Sequence, residues 1–241
     1  LTGPENTTVV LQELIKTLQE TKKQSAVANN RTLAYNPLLI GIRQEGDLYP
    51  GDQILNGVTV LPNAMTIGAT WNTNNALVAG SILGADLSAL GVNLLLGPSL
   101  DVLDVIRTDG GEDLGTSTFG GNPYWVGKMG QAFIEGVHKG SRNRIAVVAT
   151  HFPGIGSSDR KPEEEIATVR KSLEQLKQIE LAPFFTVTDL ELDQSQIVDG
   201  VLVSHTRYQG FQGNILNSTK PVSFDSNALE MIMGLALFSP W

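Results

Sequence analysis

The chain has 241 residues, 41% hydrophobic and 17% charged, with a formal charge of −8 and no cysteine. That length suits one large α/β domain with a full core, and the composition is neither that of a disordered chain nor that of a membrane span. The acidic balance argues against a nucleic-acid surface, and the lack of cysteine removes thiol nucleophiles, disulfides and thiolate metal sites.

Residues 1–7 read as irregular. From Thr8, the apolar Leu11, Leu14, Ile15 and Leu18 fall on one helical face, and the helix is predicted to fray near Lys22–Ser25. Asn29-Asn30 marks a break, and Pro37–Ile42 reads as a strand ending in Arg43-Gln44-Glu45-Gly46-Asp47. A long loop rich in Gly, Pro and Asn then runs to about Asn63. Asn72 is read as the N-cap of a helix from about Asn75 to Leu90, whose small face (Ala76, Ala79, Gly80, Gly84) suits close packing against a sheet. Gly91 ends it, and Val92–Leu96 is the next buried strand, closing on Gly97-Pro98-Ser99-Leu100-Asp101.

A second long loop, Leu103–Gly121, carries Arg107, Asp109, Glu112 and Asp113. Without a histidine or a fixed ligand spacing, these acids read as a solvated loop rather than a metal site. Asn122-Pro123 starts a helix holding Trp125, Met129, Phe133 and Val137 at helical intervals, and His138 near its end reads as solvated. The β-branched run Ile145–Val148 is a buried strand, after which Ala149-Thr150-His151-Phe152-Pro153-Gly154-Ile155-Gly156 reads as a turn presenting an imidazole. Pro162 and Glu163–Glu165 look like the first turn of a helix, with Ile166, Val169, Leu173 and Leu176 as its apolar stripe. Gly200–Val203 is a fourth strand, ending at Ser204-His205-Thr206-Arg207-Tyr208, and Ser226 to about Leu237 is a last helix.

A strand followed by a helix, four times over, predicts a parallel sheet with helices outside it. Ligands of such sheets sit at the carboxyl ends of the strands. Arg43, Glu45, Asp101, His151, His205 and Tyr208 are therefore expected on one rim. A closed barrel needs eight strands. The pattern thus leaves either an open sheet or a slice of something longer.

Six segments in order carry a resemblance. They are Ile42-Arg43-Gln44-Glu45-Gly46, Leu61–Thr70, Gly97-Pro98-Ser99-Leu100-Asp101-Val102, Phe119-Gly120-Gly121-Asn122-Pro123, His151-Phe152-Pro153-Gly154 and Val203-Ser204-His205. Together, across Pro37–Trp241, they resemble the N-terminal catalytic domain of family 3 glycoside hydrolases, a family that includes β-N-acetylhexosaminidases and β-glucosidases. The resemblance implies a TIM-type (β/α)₈ barrel, of which this chain holds about four strand–helix units as the interior portion of a single domain. It also implies retaining hydrolysis through an Asp nucleophile, no cofactor and no metal. Asp101 and His151 match sugar-holding positions, and His205 and Tyr208 would border the same pocket.

Several positions depart from the family pattern. Arg43 stands where the family has a sugar-binding Asp, Thr150 where it has Lys, and Ser117 where it has Arg. The stretch Ile155–Pro162 holds Asp159 but no histidine, so the His-Asp acid of the hexosaminidase branch has no counterpart there. The nucleophile is expected beyond Trp241, so no catalytic residue is assigned within the chain.

The residues themselves leave bland alternatives open. Asp101 could brace the following loop, Glu45 could pair with Arg43 as a structural bridge, and His205 could be a satisfied strand-end histidine. The leading expectation is hydrolysis of β-linked glucosyl or N-acetylglucosaminyl units by the complete polypeptide. The rival is a degenerate homologue that binds carbohydrate or serves as an assembly subunit. The expected partners are carbohydrate and further segments, or a second chain, that complete the barrel, with no nucleic acid and no membrane span. The expected location is extracellular or the cell envelope, with the cytoplasm left open.

Overall fold

A computed structural model describes residues 7–28, 35–46, 51–104, 115–160 and 165–235. Four parallel strands form its centre: β1 (Gly41–Ile42), β2 (Leu94–Ser99), β3 (Ala146–Phe152) and, later in the chain, β5 (Gly200–Val203), in the spatial order β1-β2-β3-β5. Ile42 pairs with Leu95 and Leu95 with Val147 in adjoining ladders, which lines up the apolar positions of three strands. Leu95, Val147 and Ala149 are fully buried. Helices cross over between the strands, as parallel pairing requires. The result is α/β, an arc of a (β/α) barrel.

Helix α1 (Thr7–Ala28) runs past the predicted fraying point. Its Gln19 donates to the Leu38 carbonyl (2.9 Å) and accepts from the Leu38 amide (3.0 Å), while Asn93 holds the Ile40 amide (2.7 Å). These side chains occupy the backbone groups that a longer strand over residues 37–40 would use. Only two residues of that segment remain to pair as β1. A short helix α2 (Ala64–Gly68), capped by Asn63, interrupts the approach to α3 (Thr73–Leu90).

The predicted cap Asn72 does accept the Asn74 amide, and Gly91 closes α3 in the left-handed conformation. The small face of α3 packs against a helix rather than a sheet. A Cβ at Gly80 would lie 2.2 Å from the Phe133 carbonyl, and one at Gly136 would lie 2.2 Å from the Leu77 carbonyl. Both contacts are with helix α4 (Pro123–Ser141), so the two backbones touch. Asn122 caps α4 by accepting the Trp125 amide at 3.2 Å, and Pro123 opens it.

The region after β3 differs most from expectation. Residues 161–164, with Pro162, Glu163 and Glu164, lie outside the described residues. Ile166 and Val169 are not helical: Thr168–Val169 forms strand β4, paired in parallel with β6 (Arg207–Tyr208) in a second, two-stranded sheet. Asp159 fastens that strand, its amide donating to the Thr168 carbonyl (3.0 Å) and its carboxylate accepting the Thr168 amide (2.8 Å). Helix α5 (Leu173–Gln178) starts only where Ser172 and Gln175 make a reciprocal capping box. Helix α6 (Ala182–Thr188) follows, then β5, β6, α7 (Gln209–Gln212) and α8 (Ser226–Met233).

His138 also contradicts its reading as a solvated side chain. It is 5% exposed at the last turn of α4, with Nδ1 at 2.8 Å from the Ser195 carbonyl and Nε2 at 2.9 Å from Asp199. The same Asp199 oxygen accepts the Val147 amide at 2.7 Å. The cluster braces the amino ends of β3 and β5, the end of the sheet away from His151. Burial alone would push the His138 pKa down, but the bonds to Asp199 and Ser195 and the Asp199 charge outweigh it and raise it. Burial likewise opposes ionisation of Asp199, and the His138 and Val147 bonds overcome it and lower its pKa.

Candidate functional site

Both β2 and β3 run further than their β-branched cores suggest. β2 continues through Gly97-Pro98 to Ser99, and His151 and Phe152 are the last residues of β3 rather than part of a turn. Ser99 pairs with Thr150, and the Leu100 amide donates to the Thr150 carbonyl at 2.7 Å. Asp101 and His151 therefore leave adjacent strands at the same level.

Asp101 is fully buried, and its carboxylate is the hub of the site. One oxygen accepts the Ile155 amide (2.8 Å); the other accepts the Ser99 hydroxyl (2.9 Å) and His151 Nδ1–H (2.7 Å). An ionised carboxylate can only accept hydrogen bonds, so against Asp101 the Nδ1 of His151 is the donor. The His151 side chain is 34% exposed while its partner is sealed. The aspartate orients, and the imidazole meets solvent.

The turn after His151 is built from below. The Gly154 amide donates to the His151 carbonyl (2.7 Å), and the Tyr208 hydroxyl donates to the Gly154 carbonyl (2.9 Å). Tyr208 is fully buried and also meets Ser204 Oγ at 2.9 Å. Burial, with the charges of Asp101 and Glu180 adding to it, pushes its pKa up, so it stays a neutral phenol. Tyr208 is a buried post beneath the His151 turn, its ring and hydroxyl spent inside. Gly154 has φ +122°, and a Cβ there would come within 2.8 Å of Glu180 Cβ. At Gly156 a Cβ would lie 1.6 Å from the Val102 carbonyl, so the loops after β2 and β3 touch backbone to backbone.

Glu180 and Lys171 were not foreseen. Fully buried, Glu180 accepts from Lys171 Nζ (2.7 Å) and from the Ser157 hydroxyl. Lys171 also bonds Asp104 at 2.7 Å, joining the loop after β2 to the α5–α6 corner. Burial raises the Glu180 pKa in spite of the lysine. The signal available in sequence was a lone acid inside the apolar run Ile179-Glu180-Leu181-Ala182-Pro183-Phe184, since an acid is buried only with partners.

Other rim residues occupy different settings. Glu45 is 7% exposed, its carboxylate accepting the Ser99 amide (3.3 Å) and its own amide donating to Asp52 (2.7 Å). It supports the same Ser99 that contacts Asp101. Arg43 directs Nε to the Gly51 carbonyl (2.9 Å), and its amide donates to Gln53 (2.8 Å), so it serves the loop after β1. Thr150 is 2% exposed inside the sheet. His205 is exposed at the end of β5, stacked on Phe224 at 5.5 Å, with Nδ1 at 2.5 Å from Ser223 Oγ. Arg107, Asp109, Glu112 and Asp113 lie outside the described residues. Among the described residues, no three His, Asp or Glu side chains come together as a metal site would require.

A parallel α/β arc with a buried carboxylate orienting a strand-end histidine has the layout of a (β/α)-barrel site at the carboxyl ends of the strands. The glycosyl hydrolase family 3 N-terminal domain profile matches residues 6–234, and the chain belongs to that family. It is 26% identical over 189 residues to a β-hexosaminidase of Idiomarina loihiensis, covering 77% of this chain and 52% of that protein. It is 26% identical over 219 residues to a β-hexosaminidase of Neisseria meningitidis, covering 87% of this chain and 54% of that one. A family 3 β-N-acetylglucosaminidase from Paenibacillus superposes with a TM-score of 0.78 at 28% identity, over 94% of this chain and 38% of that structure. The chain thus spans about half the length of the curated relatives it matches.

Proposed function

We propose that the strand-end pocket holds a β-linked N-acetylglucosaminyl or glucosyl unit, and that the whole protein is a retaining glycoside hydrolase. The observation that carries this reading is the 2.7 Å bond from His151 Nδ1 to the sealed Asp101. The sealed carboxylate fixes the orientation of a part-exposed imidazole at the strand end, so a sugar hydroxyl would meet a ring already set in place. Family membership and the β-hexosaminidase relatives support the substrate class.

Hydrolysis needs a nucleophile and an acid at the same sugar. Asp101 is committed to three donors, and Asp159 is committed to Thr168 and Arg160, so neither is assigned a chemical step. This chain supplies sugar-holding groups, and we assign the nucleophilic carboxylate to the rest of the whole protein. A second reading, carbohydrate binding without turnover, is favoured by Arg43, which replaces the family's sugar-binding Asp and bonds the loop after β1, and by Thr150, which replaces its Lys and lies buried in the sheet.

The test is paired. Calorimetry with N-acetylglucosamine and glucose should show saturable binding that His151→Ala abolishes. Assays of the whole protein with 4-nitrophenyl β-N-acetylglucosaminide and β-glucoside should show turnover. Binding without turnover supports the second reading, and absence of both overturns the first proposal and the second alike.

A further inference from the structure

Three aromatic rings cluster at the surface away from the Asp101–His151 pair. Trp71 and Tyr124 are 59% and 63% exposed, and Trp125 between them is half-buried. Trp125 meets Trp71 edge-on at 5.2 Å and Tyr124 edge-on at 5.6 Å. Edge-to-face packing sets the rings against one another, one ring of each pair covering a face of the other, and the exposure of Trp71 and Tyr124 leaves ring surface to offer a ligand. Trp71 holds φ +51°, a region bulky residues rarely occupy, so its place there is not one that backbone preference selects.

Topology puts this cluster on the pocket's end of the sheet. Trp71 precedes α3, and Tyr124 and Trp125 open α4; both helices run back against parallel strands, so their amino termini lie at the strands' carboxyl ends. The cluster is also joined to the pocket. Gly68 of α2 packs on the Phe119 carbonyl, where a Cβ would be only 1.9 Å away, and Thr118 beside Phe119 donates to the Asp101 carbonyl at 2.5 Å.

The two segments that carry the rings are uncharged, and Lys128, one helical turn beyond Tyr124, directs its ammonium to Gln131. No Asp, Glu, Lys or Arg occurs from Gln53 to Ala85 or from Gly115 to Gly127. Exposed amides stand there instead: Asn72, Asn74, Asn75 and Asn122. Flat π faces ringed by neutral amides suit a ligand with an apolar C–H face and an edge of uncharged hydroxyls. A pyranose with equatorial hydroxyls is such a ligand, its weakly positive axial C–H bonds lying on the electron-rich ring. A charged peptide or a phosphate finds no counter-charge in these two segments.

We infer that Trp71, Tyr124 and Trp125 form a second carbohydrate-binding surface, a stacking platform for a distal pyranose of a neutral β-linked oligosaccharide. The inference rests on the proposal that the protein handles sugars, but it concerns different residues and longer ligands. Chitohexaose and cellohexaose should then bind about tenfold or more tightly than the corresponding monosaccharides and should shift tryptophan emission.

Trp71→Gly removes the indole and places at φ +51° the one residue without a steric penalty there, so the thermal midpoint should hold. Hexasaccharide affinity should fall to the monosaccharide level. Tyr124→Ala is a second variant at an exposed position. Protection of tryptophan from acrylamide quenching by chitohexaose reports on the unmodified chain. His151→Ala should lose monosaccharide binding yet keep the emission response to hexasaccharide.

Equal hexasaccharide affinity in unmodified and Trp71→Gly chains, or no protection from quenching, would overturn the platform. So would a self-associated chain that Trp71→Gly turns into a monomer with no change toward sugar, since a second copy would then be the occupant. Failure of the pocket proposal looks different: no monosaccharide binding, with the hexasaccharide response intact.

Discussion

Replacing Asp101 with Asn should change the proton position on His151 more than it changes the fold. In the parent, the carboxylate accepts from Ile155 N–H, Ser99 Oγ–H and His151 Nδ1–H at 2.8, 2.9 and 2.7 Å. An Asn of the same shape can keep its carbonyl on Ile155, but its NH₂ must face Ser99 and His151. Serine can accept as well as donate, and a neutral imidazole can accept at Nδ1 if its hydrogen moves to Nε2. Exchanging three charge-assisted bonds for neutral ones loses about 1 kcal/mol each, and relief from burying an unscreened charge returns part of that. The net loss in a urea titration should be about 1–3 kcal/mol. Nitrogen-15 chemical shifts of the ring should report a change from the Nδ1–H to the Nε2–H tautomer, and affinity for N-acetylglucosamine should drop with it. An Asp101→Asn chain that keeps the Nδ1–H tautomer and full sugar affinity would refute the reasoning that the carboxylate sets the histidine.

Three further outcomes are expected. Tyr208→Phe leaves the buried Gly154 carbonyl without its hydroxyl donor, so urea unfolding should show a loss of about 1–3 kcal/mol; no loss would mean that the hydroxyl supports nothing. Gly156→Ala puts a methyl 1.6 Å from the Val102 carbonyl, so the two loops must separate. That should cost about 3 kcal/mol and weaken sugar binding, measured by the same titration and by calorimetry. The His138–Asp199 brace sets a pH window. The raised His138 pKa contributes stability that is complete below its ordinary 6.5 and is lost as pH rises through the folded value. The lowered Asp199 pKa contributes above its ordinary 3.8 and fades as pH falls through its folded value. Stability should therefore decline as pH rises above 6.5, and His138→Ala should flatten that decline; an unchanged slope would remove His138 as its source.

The sheet and its flanking helices were legible because their signals are local. The runs at 94–96, 145–148 and 200–203 are apolar and β-branched or leucine-rich, and Asn72 and Asn122 cap helices three residues or fewer away. Misreadings arose where the deciding partner is distant or where two periods coincide. Ile166, Val169, Leu173 and Leu176 fit a helical stripe, yet Val169 pairs beside Tyr208 and the helix waits for the Ser172 cap. His138 looked solvated beside Lys139 because its partners, Ser195 and Asp199, lie across the fold. That Asp101 and His151 share one rim was legible from the strand ends they follow, whereas the contacts of Tyr208, Glu180 and Lys171 are ones that no spacing encodes.

The three histidines allow a direct test of the central claim. Titrating N-acetylglucosamine into nitrogen-15-labelled protein should move the ring resonances of His151, whose side chain is part-exposed at the strand ends, in a saturable way. The His138 resonances should stay fixed, since that ring is sealed at the opposite end of the sheet. His151 signals that do not move at millimolar sugar, or that move together with those of His138, would contradict the assignment of the Asp101–His151 pair as the sugar-holding site.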